Sequence, residues 1–279
     1  MPAATTDQYI CKQCRHPFSG SYCNNCGEKR YTDKDKSLWH LLEEAFHFIT
    51  HFEGSFLNTL RAIFTSPGKL SSDYCEGVRK KYFRPISFFL VLVVLYLLFP
   101  VFEGLNMRLY YHTHHSFYGN FAMARARAVM IQKHLTDAQI TEAFHHKGET
   151  VSKFLLLINI PAMAAISWLL GFKKRRYYFD HFIFSTELLS VFILWGFLLL
   201  PMILVVLTRL KIYTTDSEGI TLLAIMSVFF IYTVIAARRF FHFSWWYDLV
   251  YSLAFAAGLI VFTEYIYKFI LFAITINLI

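Results

Sequence analysis

Charge is scarce in this sequence. Asp, Glu, Lys and Arg make up 16% of its 279 residues, against roughly 25% in an average soluble domain, while 56% of the chain is hydrophobic. A soluble globular protein is thereby set aside, and a helical membrane protein becomes the expected class. The net charge of +8 does not point to nucleic acid, because the basic residues sit in short clusters beside apolar runs rather than on a basic face with interleaved aromatics. In that setting they act as topology signals and as contacts for acidic lipid headgroups. Also missing are a secretory leader in the short polar stretch 1–10, a phosphate-binding glycine loop and a nucleophile constellation. His-Glu-x-x-His is absent too. The expectation is a cytosolic N-terminus and a non-enzymatic role ahead of an enzymatic one.

Cysteine is rare, and four of the five are gathered at the front, in "CKQCRHPFSGSYCNNC". Cys11, Cys14, Cys23 and Cys26 form two Cys-x-x-Cys pairs. Each pair can turn both sulfurs toward one ion, and four soft ligands fill a tetrahedral zinc site with no position left for substrate. Reduced cytosolic thiols favour metal over disulfides. A redox dithiol or an iron-sulfur site is the alternative. The expectation is a structural Zn2+ in a four-cysteine ribbon over residues 1–30, with Gly27 in a tight turn. Tyr9, Phe18 and Tyr22 would offer an apolar face to the membrane domain or to a cytosolic protein partner. Cys75 stands alone.

Residues 31–84 read as amphipathic juxtamembrane helices. Glu43, His47 and His51 recur every four residues, so they share a face that is either solvated or a second metal or proton site. Residues 85–279 read as the transmembrane domain. Five apolar stretches, 85–102, 154–172, 188–207, 220–237 and one starting near 249, approach the roughly 20 residues needed to cross a bilayer. Their basic flanks, Arg79 to Lys81 with Arg84, Lys173 to Arg176, and Arg238 with Arg239, fall on one side. The positive-inside rule makes that side the cytosol and puts the C-terminus outside.

The last stretch is too long for one upright helix, so a span ending near Glu264 and Lys268 with an apolar tail at the interface is expected. The alternative carries Glu264 inside the membrane as a functional carboxylate. The loop 103–150 should hold a helix that starts at the capping box of Thr136 and Gln139 and closes near Gly148. Its histidines, His112, His114, His115, His145 and His146, are a weaker metal candidate. Asp180, His181 and Glu187 enter the third span and need partners, which Arg79, Arg84 or the cytosolic histidines could supply. A salt-bridge network is one reading of them, and an ion or substrate path is another.

Pro67, Gly68, Tyr74, Gly77, Arg79, Tyr82 and Pro85, downstream of the four cysteines, resemble a bacterial family of polytopic membrane proteins of unknown function that join an N-terminal zinc ribbon to such a segment. The "YYFDHFIF" stretch before the third span looks similar. The resemblance implies an inner-membrane protein with a cytosolic head and carries over no catalytic residue. Two functions follow as expectations: a non-enzymatic, partner-binding or regulatory module first, and a transporter built on the intramembrane acidic and His residues second. A membrane metalloenzyme on the His40 to His51 face is third.

Overall fold

Thirteen consecutive buried residues, 179–191, mark the centre of the molecule, because a helix covered on every side must be wrapped by the rest of the chain. The computed structural model describes residues 9–30, 54–98, 107–210 and 218–279. Glu43, His47, His51 and most of the expected amphipathic helix lie outside these residues.

A small head comes first. Strands β1 (Tyr9–Ile10) and β2 (Pro17–Phe18) pair antiparallel, and a bridge joins Tyr22 to Lys29. Helices α1 (Ser55–Thr65) and α2 (Lys69–Cys75) follow, and Pro85 opens α3 (Pro85–Leu98), where its missing N–H has no cost. Helices α4 (Leu109–Thr113), α5 (Gly119–Lys133) and α6 (Asp137–Leu155) come next. A 3-10 turn at Leu156–Ile158 leads into α7 (Asn159–Gly171). Helix α8 (Tyr178–Ile193) runs through a π segment at Leu194–Leu199 into α9 (Leu200–Arg209). Then come α10 (Glu218–Phe241) and α11 (Trp245–Val261), the latter continuing through a second π segment, Phe262–Tyr267, into α12 (Lys268–Asn277).

Three continuous helices are long and apolar enough to cross a membrane: Tyr178–Arg209, Thr221–Phe241 and Trp245–Asn277. A fourth crossing results if Asp137–Ser152 and Leu156–Gly171, bent by 43° from one another, count as one span. Helix α3 has 14 residues, about 21 Å at ~1.5 Å per residue, which is less than a bilayer's hydrocarbon core. The described residues thus give three or four spans where five were expected. The third begins at Tyr178, ten residues ahead of the apolar run, because Asp180, His181 and Glu187 find partners inside the protein.

Two expectations for the loop meet different outcomes. The capping box at Thr136 and Gln139 is present, but the helix does not close at Gly148. It runs on to Leu155 because Val151 and Leu155 join the main core, and that burial outweighs the ~1 kcal/mol cost of a helical glycine. The apolar tail after Glu264 does not lie along an interface either. Phe272 and Ile276 of α12 form a second core with Leu109, Tyr118, Ala122, Val129, Ile140 and Phe144, so α4, α5, α6 and α12 make a helical lobe. Exposed Trp245 and Tyr265 are twenty residues apart on one helix, about 30 Å at ~1.5 Å per residue, which equals a hydrocarbon core. Aromatic rings favour both edges of such a core, and α12 continues beyond that level into the lobe.

The opposite end gathers the basic flanks. Arg239 donates to the Pro67 carbonyl, Arg175 to that of Phe240, and the Tyr247 hydroxyl to that of Leu170. Segments 67–84, 170–181 and 236–247 therefore meet beneath the head.

Candidate functional site: a four-cysteine head on a buried clamp

The two Cys-x-x-Cys turns repeat one another. Cys11 O accepts from Arg15 N at 3.0 Å, and Cys23 O from Gly27 N at 2.8 Å; Cys11 N donates to His16 O and Cys23 N to Glu28 O. Arg15 and Gly27 hold equivalent positions with φ of 63° and 69°, the left-handed conformation that lets each chain fold back over its sulfurs. Gly27 is further constrained, since a Cβ there would lie 2.5 Å from Lys80 Nζ.

The four Sγ atoms all lie within 4.8 Å of one another, with Cys11 to Cys26 at 3.5 Å and Cys14 to Cys23 at 3.6 Å. A tetrahedral ion with metal–sulfur bonds of ~2.3 Å sets its ligands ~3.8 Å apart, so this donor set fits a four-thiolate metal site. The His16 backbone amide holds the Cys14 thiol down to about 6, while loss of hydration pushes Cys26 up to about 12. Phe18, expected at the surface, is turned inward over the cysteines and meets Tyr9 edge to face at 5.3 Å. Of the expected apolar face only Tyr22 is exposed, and Ile10 of β1 is exposed as well.

Glu28, which the sequence did not single out, seats the head. Its carboxylate accepts from the backbone amides of Arg79 and Lys80 at 3.0–3.2 Å, and Lys80 Nζ reaches back to the Cys26 carbonyl at 2.6 Å. Burial pushes the Glu28 carboxyl up, and the two amides pull it back. The second cysteine turn is therefore bound directly to the turn between α2 and α3.

That turn belongs to a clamp made by the residues of the Pro-Gly, Tyr, Gly-x-Arg segment. Gly68 has φ of 77°, and a Cβ on it would fall 2.5 Å from the Ala236 carbonyl oxygen, so no other residue fits without displacing α10. The Gly68 and Ser71 amides each donate to Glu187 at 2.8 Å. The Ser71 hydroxyl donates to it too, as does the Tyr232 hydroxyl at 2.8 Å. Glu187 is 1% exposed, and its four hydrogen bonds come from neutral donors, not from the cations the sequence suggested. Such donors satisfy a buried carboxylate. Tyr74 lies under the Arg79 guanidinium at 4.9 Å, and Phe179 under it at 5.7 Å. Gly77 turns the chain with φ of 99°, and Tyr82 donates to Asp73 at 2.6 Å. Burial pushes the Cys75 thiol well up, as suits an inert side chain.

Asp180 faces Arg175 at 3.7 Å. His181 is held between Ser167, 2.9 Å from Nδ1, and the Arg175 carbonyl, 2.9 Å from Nε2; Ser167 in turn meets the Tyr251 hydroxyl at 2.7 Å. Since a carbonyl accepts only, Nε2 carries the proton and Nδ1 accepts from Ser167. Glu264 pairs with Lys268 through both oxygens at 2.7 Å, at the level of the Tyr265 belt. The structure brings Arg79, Asp180 and Glu187 to the head end, His181 beside them, and leaves Glu264 at the lobe. A cavity of about 20 Å3, lined by residues including Asn159 and Thr263, contains none of these groups and has room for about one water.

The loop histidines diverge. His112 is buried with Nδ1 2.7 Å from the Tyr118 hydroxyl, His114 stacks on Tyr110 and His115 on Tyr118, and His145 faces Glu149. Among the described residues, the four cysteines are the one group of three or more metal-binding side chains drawn together. Besides Glu28, the sequence reading missed Asp248, which is buried with both carboxylate oxygens lacking a hydrogen-bond partner. It also missed Ser71 and Tyr232, whose roles depend on contacts far along the chain.

No curated protein and no solved structure matches this chain. A family model described as a protein of unknown function (DUF3667) matches residues 53–97, so the matched segment runs from α1 through the clamp and nearly all of α3, while the cysteine head and Glu187 lie outside it.

Proposed function

We propose that this chain is a membrane-anchored, non-enzymatic module whose four cysteines hold a structural zinc ion, and whose head recruits or regulates a protein partner. It would sit in a bacterial cytoplasmic membrane with the head in the cytosol and the lobe outside. The observation that carries the reading is the seating of the second cysteine turn on the clamp through Glu28 and Lys80. Metal binding supplies the folding energy of so small a ribbon, so the ion sets whether the head has a shape and where it is held. Four thiolates leave no open coordination position for chemistry. A transport path is disfavoured because Asp180, His181 and Glu187 find partners at the head end while Glu264 pairs with Lys268 beside the lobe.

Exposed Tyr22 and Ile10 make the head's accessible apolar face. The test places a photo-crosslinking amino acid at Tyr22 or at Ile10 in cells. One shared protein adduct from both positions, absent in a Cys11→Ser/Cys14→Ser variant, supports recruitment. Adducts that persist unchanged without the cysteines would contradict it.

A further inference from the structure

The three basic clusters at the head end are not uniform, and the structure divides them by what each cation does. Arg175 donates to the Phe240 carbonyl and faces Asp180 and Glu76, Arg239 binds the Pro67 carbonyl, and Lys80 binds that of Cys26. These cations hold the fold together. Lys173, Lys174, Arg176 and Arg238 are exposed, and none makes a side-chain hydrogen bond or ion pair with a described residue. Among the described residues, the acids of this end are buried or paired: Glu28, Asp180, Glu187 and Asp248 are buried, Asp73 accepts from Tyr82 and faces Lys81, and exposed Glu76 is turned to Arg175. Among the described residues, the unpaired charge left on this surface is positive.

Its position is specific. The Tyr247–Leu170 bond draws the end of α7 against the start of α11, and the Trp168 Nε1 donation to the Arg176 carbonyl at 3.3 Å folds the basic loop back onto α7. Arg238, at the end of α10, lies close enough to act on the charge of Asp248 in the first turn of α11. Phe172, Trp245 and Trp246 are exposed at the same seam, and Leu169, Val250 and Leu253 continue it as a lipid-facing apolar surface. Aromatic rings and unpaired cations at the edge of an apolar surface match the chemistry of an anionic leaflet.

We propose that the seam between α7 and α11 is a docking surface for anionic phospholipid headgroups, held by Lys173, Lys174, Arg176 and Arg238. The ligand is the lipid itself, whose acyl chains lie along Leu169, Val250 and Leu253 while its phosphate meets the cations. The preference fades as salt screens the charges.

The test is native mass spectrometry of the full chain, released from detergent with equal amounts of phosphatidylglycerol and phosphatidylcholine of identical acyl chains. Wild type should retain the anionic lipid with about tenfold preference, and a Lys173→Gln/Lys174→Gln/Arg176→Gln/Arg238→Gln variant should show parity. A charge-keeping Lys173→Arg/Lys174→Arg/Arg238→Lys variant should keep the preference. Equal retention by wild type, or a preference that survives the four glutamines, overturns the proposal. Displacement of the lipid by inorganic phosphate, where sodium chloride of the same ionic strength leaves it bound, overturns it as well, since the site would then be one for soluble anions. Should the glutamine variant fail to fold, a wild-type salt series decides: a preference that vanishes toward 1 M salt supports the docking surface, and a salt-insensitive one refutes it.

Discussion

The two ends of the molecule are held together by different physics. At the head end, named donors meet named acceptors: Glu187 takes four hydrogen bonds from Gly68, Ser71 and Tyr232, and Glu28 takes the amides of Arg79 and Lys80. At the lobe end, rings meet rings: Phe272 packs on His112, Tyr118, Phe121 and Phe144 with centroids 5.6 to 6.3 Å apart. Hydrogen bonds specify one geometry and are costly to break when buried, whereas ring packing tolerates small shifts. The end that seats the head is thus the more exactly specified one.

Substitutions can break that comparison. Glu187→Leu leaves the Gly68 and Ser71 amides without an acceptor and should cost about 3–5 kcal/mol, read as a loss of thermal stability in detergent with amide exchange rising first over 67–84. Glu187→Gln should cost less, because one oxygen still accepts. In the lobe, Phe272→Ala should cost about 3 kcal/mol, but the faster exchange should stay within 107–150 and α12. Spread of that change to the clamp would show that the two ends are one cooperative unit.

The lobe also carries a pH dependence of its own. Burial, with Lys268 nearby, lowers His112 to about 4 from an unfolded value of about 6.5. The unfolded lobe therefore binds the proton first, and the stability from neutral His112 is complete above pH 6.5 and lost as pH falls toward 4. The loss is about 3 kcal/mol at most, and it should appear as lobe-restricted exchange that a His112→Phe variant no longer shows. The smallest effect is expected at the Glu264–Lys268 pair. Glu264 is 43% exposed, so Lys268→Met should change thermal stability by less than about 1 kcal/mol. A much larger loss would move Glu264 from the interface into the hydrocarbon.

Much of this was legible in the sequence where chemistry is local. The cysteine spacing identified the ligand set, Thr136 and Gln139 marked a helix start, and Pro67-Gly68 marked a helix end. Hydrophobic patterning was less informative, because an apolar face does not say what covers it. The run after Glu264 looked like lipid-facing tail, yet Phe272 and Ile276 face the lobe, and Gly148 looked like a stop for a helix that burial carries onward. The clamp was hidden by distance. Gly68 and Glu187 are 119 residues apart, and nothing near Glu187 announces that backbone amides rather than Arg79 or Arg84 will meet it. Phe18 was misplaced for a related reason: a two-stranded ribbon has one small core, and the cysteines occupy its other side.

The central claim is that the head is a closed structural metal site, and the most direct measurement is metal content per chain on purified protein. Wild type is compared with Cys11→Ser/Cys14→Ser and with His47→Ala/His51→Ala. One zinc per chain, lost in the cysteine variant and kept in the histidine variant, is the predicted result. No bound metal in wild type, an ion that survives loss of the cysteines, or a second ion that disappears with the histidines would contradict it.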